Sequence, residues 1–245
     1  MTAEGRMRAD RLLVERGLFE SRAKAQAVIE AGCVQANGAT VRKAAEEIAR
    51  DAALSASPAH PYVSRGGVKL ASALDHFGID PEGRVCLDAG ASTGGFTQVL
   101  IERGARRVYA VDVGKAQLHE SLRKRRQIVP LEGTDIRSLP AATFDAAPTL
   151  LTIDVSFISL KLVLPAVTAI SANTAMLVAL IKPQFEAGRD RVKKGVVRDA
   201  AVHRAVCDDI VAAAAALGWR VRGVIPSPIA GGDGNAEFLL AADRV

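Results

Sequence analysis

The chain has 245 residues, 49% hydrophobic and 24% charged, an ordinary globular composition with room for one large core and a small module. Its formal net charge of +5 favours a polyanionic partner through long-range attraction. Cys33, Cys86 and Cys207 are far apart, without the spacing of metal ligands, which argues against a zinc site or disulfide framework; free thiols, an N-terminus without a signal-peptide core and apolar runs too short for a bilayer point to a cytoplasmic protein with no metal and no membrane contact.

Residues 1–54 read as a separate small module. Leu12, Leu13 and Arg16 before Gly17 form one short helical pattern, and a second runs from an N-cap at Ser21 to a stop at Gly32. CVQANGATV then reads as a strand, an Asn37-Gly38 turn and a second strand. SASPAHPYV, residues 55–63, is rich in Pro, Ser and Ala and reads as a linker.

From residue 64 to 245 the pattern changes. VCLDAG, RVYAVDV, LLTIDVSF and MLVALIKP are near-continuous apolar runs, as parallel strands buried on both faces require. Helical stretches such as TQVLIERG and AVHRAVCDDIVAAAAALG alternate with them. This predicts an α/β fold with a Rossmann-like, doubly wound sheet. The end differs: WRVRGVIPSPIAGGDGNAEFLLAADR reads as strand, Gly-rich turn, strand, so the last strand is expected to be antiparallel.

DAGASTGGF, Asp88 to Phe96, follows a strand and opens a helix. Glycines 90, 94 and 95 let a backbone approach a ligand closely, and a helix N-terminus favours an anionic group such as a carboxylate. A dinucleotide fingerprint would need glycine where Ser92 stands, and a P-loop would need Lys-Ser/Thr where Phe96 follows Gly95. Gly90-Ala91-Ser92-Thr93-Gly94 matches the nucleophile elbow of hydrolases, but His203 is the single late histidine and sits in mid-helix. S-adenosylmethionine fits better. Asp112 ends the next strand, the spacing of a carboxylate for ribose hydroxyls, and Asp135 after the third strand can accept from an adenine amino group. The predicted cofactor set is Asp88, Gly90, Ser92, Thr93, Gly94, Gly95, Phe96, Asp112, Val113, Asp135, Ile136 and Asp154.

Ligands of an open α/β sheet sit outside the carboxyl ends of its parallel strands. Asp154 and Lys182 end two such strands, and Glu237 begins the antiparallel one, which places it on the same edge. Lys69 lies in a helical segment before the first strand. Each alone reads equally as a surface charge or a cap; together they suit methyl transfer to a hydroxyl. A sulfonium methyl is already activated, so the nucleophile must be deprotonated and aligned. A lysine serves as base only if its pKa falls from about 10.4 toward 7 or 8; a second ammonium and desolvation lower it, and carboxylates orient it. Lys182 is expected to be the base, Asp154 to align it, and Lys69 and Glu237 to tune and orient.

RADRLLVERGLFESRAKAQAVIEAGCV, YVSRGGVKL, LDAGASTGGFT, IDVSFISL, IKPQFEAGR and KKGVVRD resemble motifs of the TlyA family, bacterial ribosomal RNA 2′-O-methyltransferases historically described as haemolysins. The resemblance spans essentially the whole chain. It implies a small α+β S4-type RNA-binding domain, a methyltransferase domain similar to the FtsJ-like fold, and a Lys-Asp-Lys-Glu tetrad on Lys69, Asp154, Lys182 and Glu237; Lys69 is placed at the site by this match alone. It also implies 2′-O-methylation of cytidine in small- or large-subunit rRNA.

The basic residues support an RNA partner. Arg6, Arg8, Arg11, Arg22 and Lys24 cluster around the first helices, Arg65 precedes the larger domain's first helix, and LRKRRQ and GRDRVKKGVVR add Arg123, Arg125, Arg126, Arg189, Lys193 and Lys194. Few aromatics accompany them, so phosphate contacts to folded RNA of the ribosomal subunits are expected rather than base stacking. The alternatives are a non-catalytic RNA- or ribosome-binding protein and a membrane-active haemolysin. A monomer is expected.

Overall fold

The computed structural model describes residues 5–30, 32–56 and 60–244, apart from the side chain of Arg189. The chain divides into two compact units, residues 1–61 and 62–245.

In the first unit β1 (Arg6–Arg8) leads into α1 (Ala9–Glu15) and α2 (Arg22–Glu30), followed by β2 (Val34–Ala36), β3 (Ala39–Thr40), β4 (Glu47–Ala49) and β5 (Leu54–Ala56). Asn37 and Gly38 both have positive φ, 51° and 79°, the requirement of a two-residue hairpin turn whose twist matches its strands. Leu12, Leu13, Ile29 and Val34 form a small core. One expectation is corrected here. Ser55 and Ala56, read as the start of a linker, pair antiparallel with Gln35 and Val34. Composition suggested a loop; the ladder hydrogen bonds offered by β2 outweigh it, because Ser and Ala tolerate an edge strand. Residues 57–59 of the expected linker lie outside the described residues, and Tyr62 and Val63 pack on the core of the second unit.

The second unit contains α3 (Gly66–Phe77), β6 (Val85–Ala89), α4 (Gly95–Glu102), β7 (Arg107–Asp112), α5 (Glu120–Arg123), β8 (Ile128–Glu132), β9 (Leu150–Ile153), α6 (Leu160–Ile170), β10 (Ala175–Ile181), α7 (Pro183–Glu186), α8 (Ala200–Ala216), β11 (Arg220–Pro226) and β12 (Phe238–Arg244). Its seven strands lie in the order β11-β12-β10-β9-β6-β7-β8. β6, β7, β8, β9 and β10 pair in parallel, and β12 is antiparallel to both neighbours. This is the Rossmann-like sheet with a reversed last strand that the sequence predicts.

Alternation builds two cores. Leu87, Ala89, Val111, Leu151, Ile153, Leu177 and Ala179 face α6 and α8. Cys86, Val108, Ala110, Val178 and Leu180 face α3 and α4. A sheet covered on both faces leaves its ends for chemistry.

Candidate active site

The carboxyl ends of β6, β7 and β9 open onto a cavity of about 1040 Å³. Gly90, Ser92, Asp112, Val113, Asp135, Ile136 and Asp154 line it, seven of the expected cofactor residues. Asp112 is held by the backbone: its two carboxylate oxygens accept from Ser92 N at 2.8 Å and Gly114 N at 2.7 Å. Asp135 caps a short 3₁₀ turn and meets the Arg137 guanidinium, with Nη2 to Oδ2 at 2.6 Å. That hydrogen bond holds the Asp135 carboxyl below the usual carboxylate range.

The other expected cofactor residues do not line the cavity. Asp88 is fully buried beneath the turn, accepting from Thr97 Oγ1 at 2.6 Å and Thr152 Oγ1 at 3.1 Å. Burial pushes its carboxyl up to about 7. Phe96 is a core residue, and Thr93 does not line the cavity. Gly94 and Gly95 are needed by the protein itself: a Cβ on Gly94 would overlap Leu122 and Leu118, and one on Gly95 would overlap Ser64 Oγ. Gly90, with φ 86°, brings the turn against the backbone carbonyl of Asp154, which a Cβ there would overlap. The glycine pattern is thus set by close packing of chain on chain, and at Gly90 by the cavity wall as well.

The four expected catalytic residues form two ion pairs. Lys182 Nζ lies 2.6 Å from Asp154 Oδ1, a contact not aligned as a hydrogen bond, and donates to Ser156 Oγ at 2.8 Å. Lys69 Nζ pairs with Glu237 Oε2, with the two side chains 10% and 3% exposed. The β10–β12 register sets Ile181 opposite Phe238, so the adjoining Lys182 and Glu237 stand at one sheet edge. α3 carries Lys69 on its buried face with Leu70, Ala73 and Leu74. Glu237 rests on Gly231, where a side chain would displace its carboxylate.

Sequence reasoning missed several residues here. Ser156, Phe157, Arg137 and Phe185 also line the cavity. Phe157 is 90% exposed with φ 65°, a strained conformation for a bulky residue. Glu186 accepts from Ser159 Oγ at 2.5 Å and Leu160 N at 2.7 Å, bracing the loop after β9. All but Arg137 fall inside the IDVSFISL and IKPQFEAGR motifs, so the signal was present, but nothing in it ranked these residues above their neighbours. Asn235, 3% exposed, ties the Lys193–Val197 turn to the β11–β12 loop through Gly195 O and Val197 N.

The expected RNA-binding residues divide. Arg11, Arg65, Arg125, Arg126, Lys193 and Lys194 are exposed. Arg6 is exposed and donates to Glu47 O. Arg8 and Arg22 both bind the buried carboxylate of Asp10, at 2.9 and 2.8 Å, and Gln26 joins them. The side-chain hydrogen bond from Arg8 holds the Asp10 carboxyl well below the usual range. Lys24 pairs with Glu20, and Arg123 with Glu132 at 2.6 Å. The side chain of Arg189 lies outside the described residues. Among the described residues no cluster of His, Cys, Asp and Glu suits a metal ion, and no helix is long and apolar enough to cross a membrane.

Fold and site together define a Rossmann-like methyltransferase domain behind a small N-terminal domain. A family model described as FtsJ-like methyltransferase matches residues 62–244, and one described as S4 domain matches residues 7–52. The chain is 43% identical over 238 residues to the 16S/23S rRNA (cytidine-2′-O)-methyltransferase TlyA of Mycobacterium tuberculosis, covering 96% of this chain and 89% of that one. It is 40% identical over 235 residues to Hemolysin A of Brachyspira hyodysenteriae, covering 95% and 98%. A solved structure from Streptococcus thermophilus, described as a candidate hemolysin, superposes with a TM-score of 0.79 at 41% identity, covering 99% and 90%. The chain belongs to the TlyA family of FtsJ-like methyltransferases.

Proposed function

We propose that this chain transfers the methyl group of S-adenosylmethionine to a cytidine ribose 2′-hydroxyl of ribosomal RNA, in the cytoplasm and as a monomer. One observation carries the reading: Asp154 both lines the cavity and pairs with Lys182, so a base candidate stands at the wall of a cofactor-sized space. The cavity suits that cofactor, with carboxylates at Asp112 and Asp135 for its hydroxyl and amino groups and apolar Val113 and Ile136 for its base. When bound it supplies a sulfonium-activated methyl.

The protein supplies the rest. Lys182 removes the 2′-hydroxyl proton, Asp154 aligns it, and the Lys69–Glu237 pair orients the edge opposite β10. Asp88, Gly94, Gly95 and Phe96 shape the turn from beneath. Residues 1–54, with Arg6, Arg8, Arg11, Arg22 and Lys24, hold RNA through phosphates, as do Arg65, Arg123, Arg125, Arg126, Arg189, Lys193 and Lys194 from residues 64–245. The name Hemolysin A borne by one relative raises a lytic reading, which leaves the paired charges beside the cavity unaccounted for.

The test is a map of 2′-O-methyl groups on rRNA from cells with the intact protein, without it, and with Lys182→Ala. A cytidine mark that depends on Lys182 is expected. No added mark in the presence of the intact protein would overturn the reading.

A further inference from the structure

The hydroxyl of Ser156, a residue outside the tetrad, stands 2.8 Å from Lys182 Nζ. A neutral lysine amine has two N–H bonds and one lone pair besides its bond to carbon. Two groups meet Nζ here in different ways: Asp154 Oδ1 lies 2.6 Å away as an ion-pair contact not aligned as a hydrogen bond, and Ser156 Oγ accepts one N–H. With the amine held against the carboxylate and one N–H committed to Ser156 Oγ, rotation about Cε–Nζ is restricted and so is the direction left to the lone pair.

The position of Ser156 is held at some cost. The next residue, Phe157, has φ 65°, a left-handed conformation that a bulky residue rarely adopts. Glu186 secures the far end of the same loop through Ser159 Oγ and Leu160 N. Phe157 and Phe185 add a ring contact, with centroids 5.0 Å apart. Phe185 and Glu186 both belong to α7, which begins directly after Lys182. The segments that carry the two ends of the Lys182–Ser156 hydrogen bond are therefore tied to each other twice more.

Resting on the reading of Lys182 as the base, we infer that Ser156 is a positioning residue for the reaction: its hydroxyl takes one N–H of the Lys182 amine and so aims the lone pair at the ribose 2′-hydroxyl. The 2′ O–H bond breaks, its proton bonds to Nζ, and its electron pair stays on oxygen to form the bond to the methyl carbon as the carbon–sulfur pair passes to sulfur. Asp154 alone would leave the amine free to rotate about Cδ–Cε and Cε–Nζ.

The experiment uses the full chain as wild type, Ser156→Ala, Ser156→Thr and Lys182→Ala. Methyl transfer is followed in single turnovers at saturating S-adenosylmethionine, on ribosomal subunits from cells lacking the protein, and cofactor affinity is measured by calorimetry. Loss of one aligning hydrogen bond is expected to slow Ser156→Ala by about tenfold. Cofactor affinity should stay within about twofold, and Ser156→Thr should recover most of the rate. A Ser156→Ala rate equal to or above wild type overturns the inference, because it would mean that the hydroxyl is idle or blocks the lone pair. So does a loss matched by weaker cofactor binding, or a Ser156→Thr variant as slow as Ser156→Ala. Lys182→Ala separates the two levels. If it is inactive while Ser156→Ala is normal, only the role of Ser156 falls; if it turns over normally, the reading of the base falls too.

Discussion

Replacing Lys69 with Met removes an ammonium but keeps a flexible apolar stem on the inner face of α3, so it isolates the charge. The carboxylate left behind belongs to Glu237, whose side chain is 3% exposed and seated on Gly231. Removing one member of a buried ion pair costs about 3–5 kcal/mol, since the survivor stays desolvated without its counter-charge. Domain stabilities are typically about 5–15 kcal/mol, so this is a large loss. Trp219 is the sole tryptophan, 2% exposed in the core facing α6 and α8, and its fluorescence reports the second unit alone. With a urea m-value of about 2 kcal/mol/M, the midpoint for Lys69→Met should fall by roughly 2 M. The double variant Lys69→Met/Glu237→Met removes both charges and should recover most of that loss, because the pair contributes little net stability over an apolar replacement. It should nevertheless remain impaired in methyl transfer, which separates the functional role of the pair from its effect on folding. A midpoint for Lys69→Met within about 0.3 M of wild type, or a double variant no more stable than the single one, would refute the reasoning.

Gly90→Ala places a Cβ on a residue with φ 86° and against the Asp154 carbonyl; strain and overlap together should cost about 2–5 kcal/mol and weaken S-adenosylmethionine binding in calorimetry. Asp88, raised to about 7 by burial, should make the second unit lose stability as pH rises. Its contribution is fully present below the unfolded value near 4, declines up to about 7 and is flat above; Asp88→Asn should flatten that part of the profile in Trp219-monitored unfolding. Asp10 has the opposite sign: held low chiefly by the Arg8 hydrogen bond, it stabilises the first unit above about pH 4 and loses that effect as the solution is acidified. Amide NMR spectra of the whole chain should show residues of the first unit unfolding at a higher pH in Asp10→Asn than in wild type.

The order of elements was legible because it depends on local pattern. VCLDA, LLTI and AMLVALI are near-continuous apolar runs, interrupted only by Asp88 and Thr152, and form strands covered on both faces, and the missing helix between β11 and β12 forces reversal of the last strand. Those two facts alone put Asp154, Lys182 and Glu237 at one end of the sheet. Tertiary structure decided what each residue touches. Lys69 finds Glu237 across 168 positions because α3 packs on the sheet beside β12, and no local periodicity encodes that choice. Asp10 stands in the first turn of α1, where nothing in the local pattern singles it out, yet it is fully buried and pairs with Arg8 and Arg22. Gly94 and Gly95 were legible as glycines of a close-approach turn, but only the fold shows that a Cβ there would overlap Leu122, Leu118 and Ser64. Periodicity tells a residue which side of its own element is dry; only the assembled fold tells it which neighbour lies there.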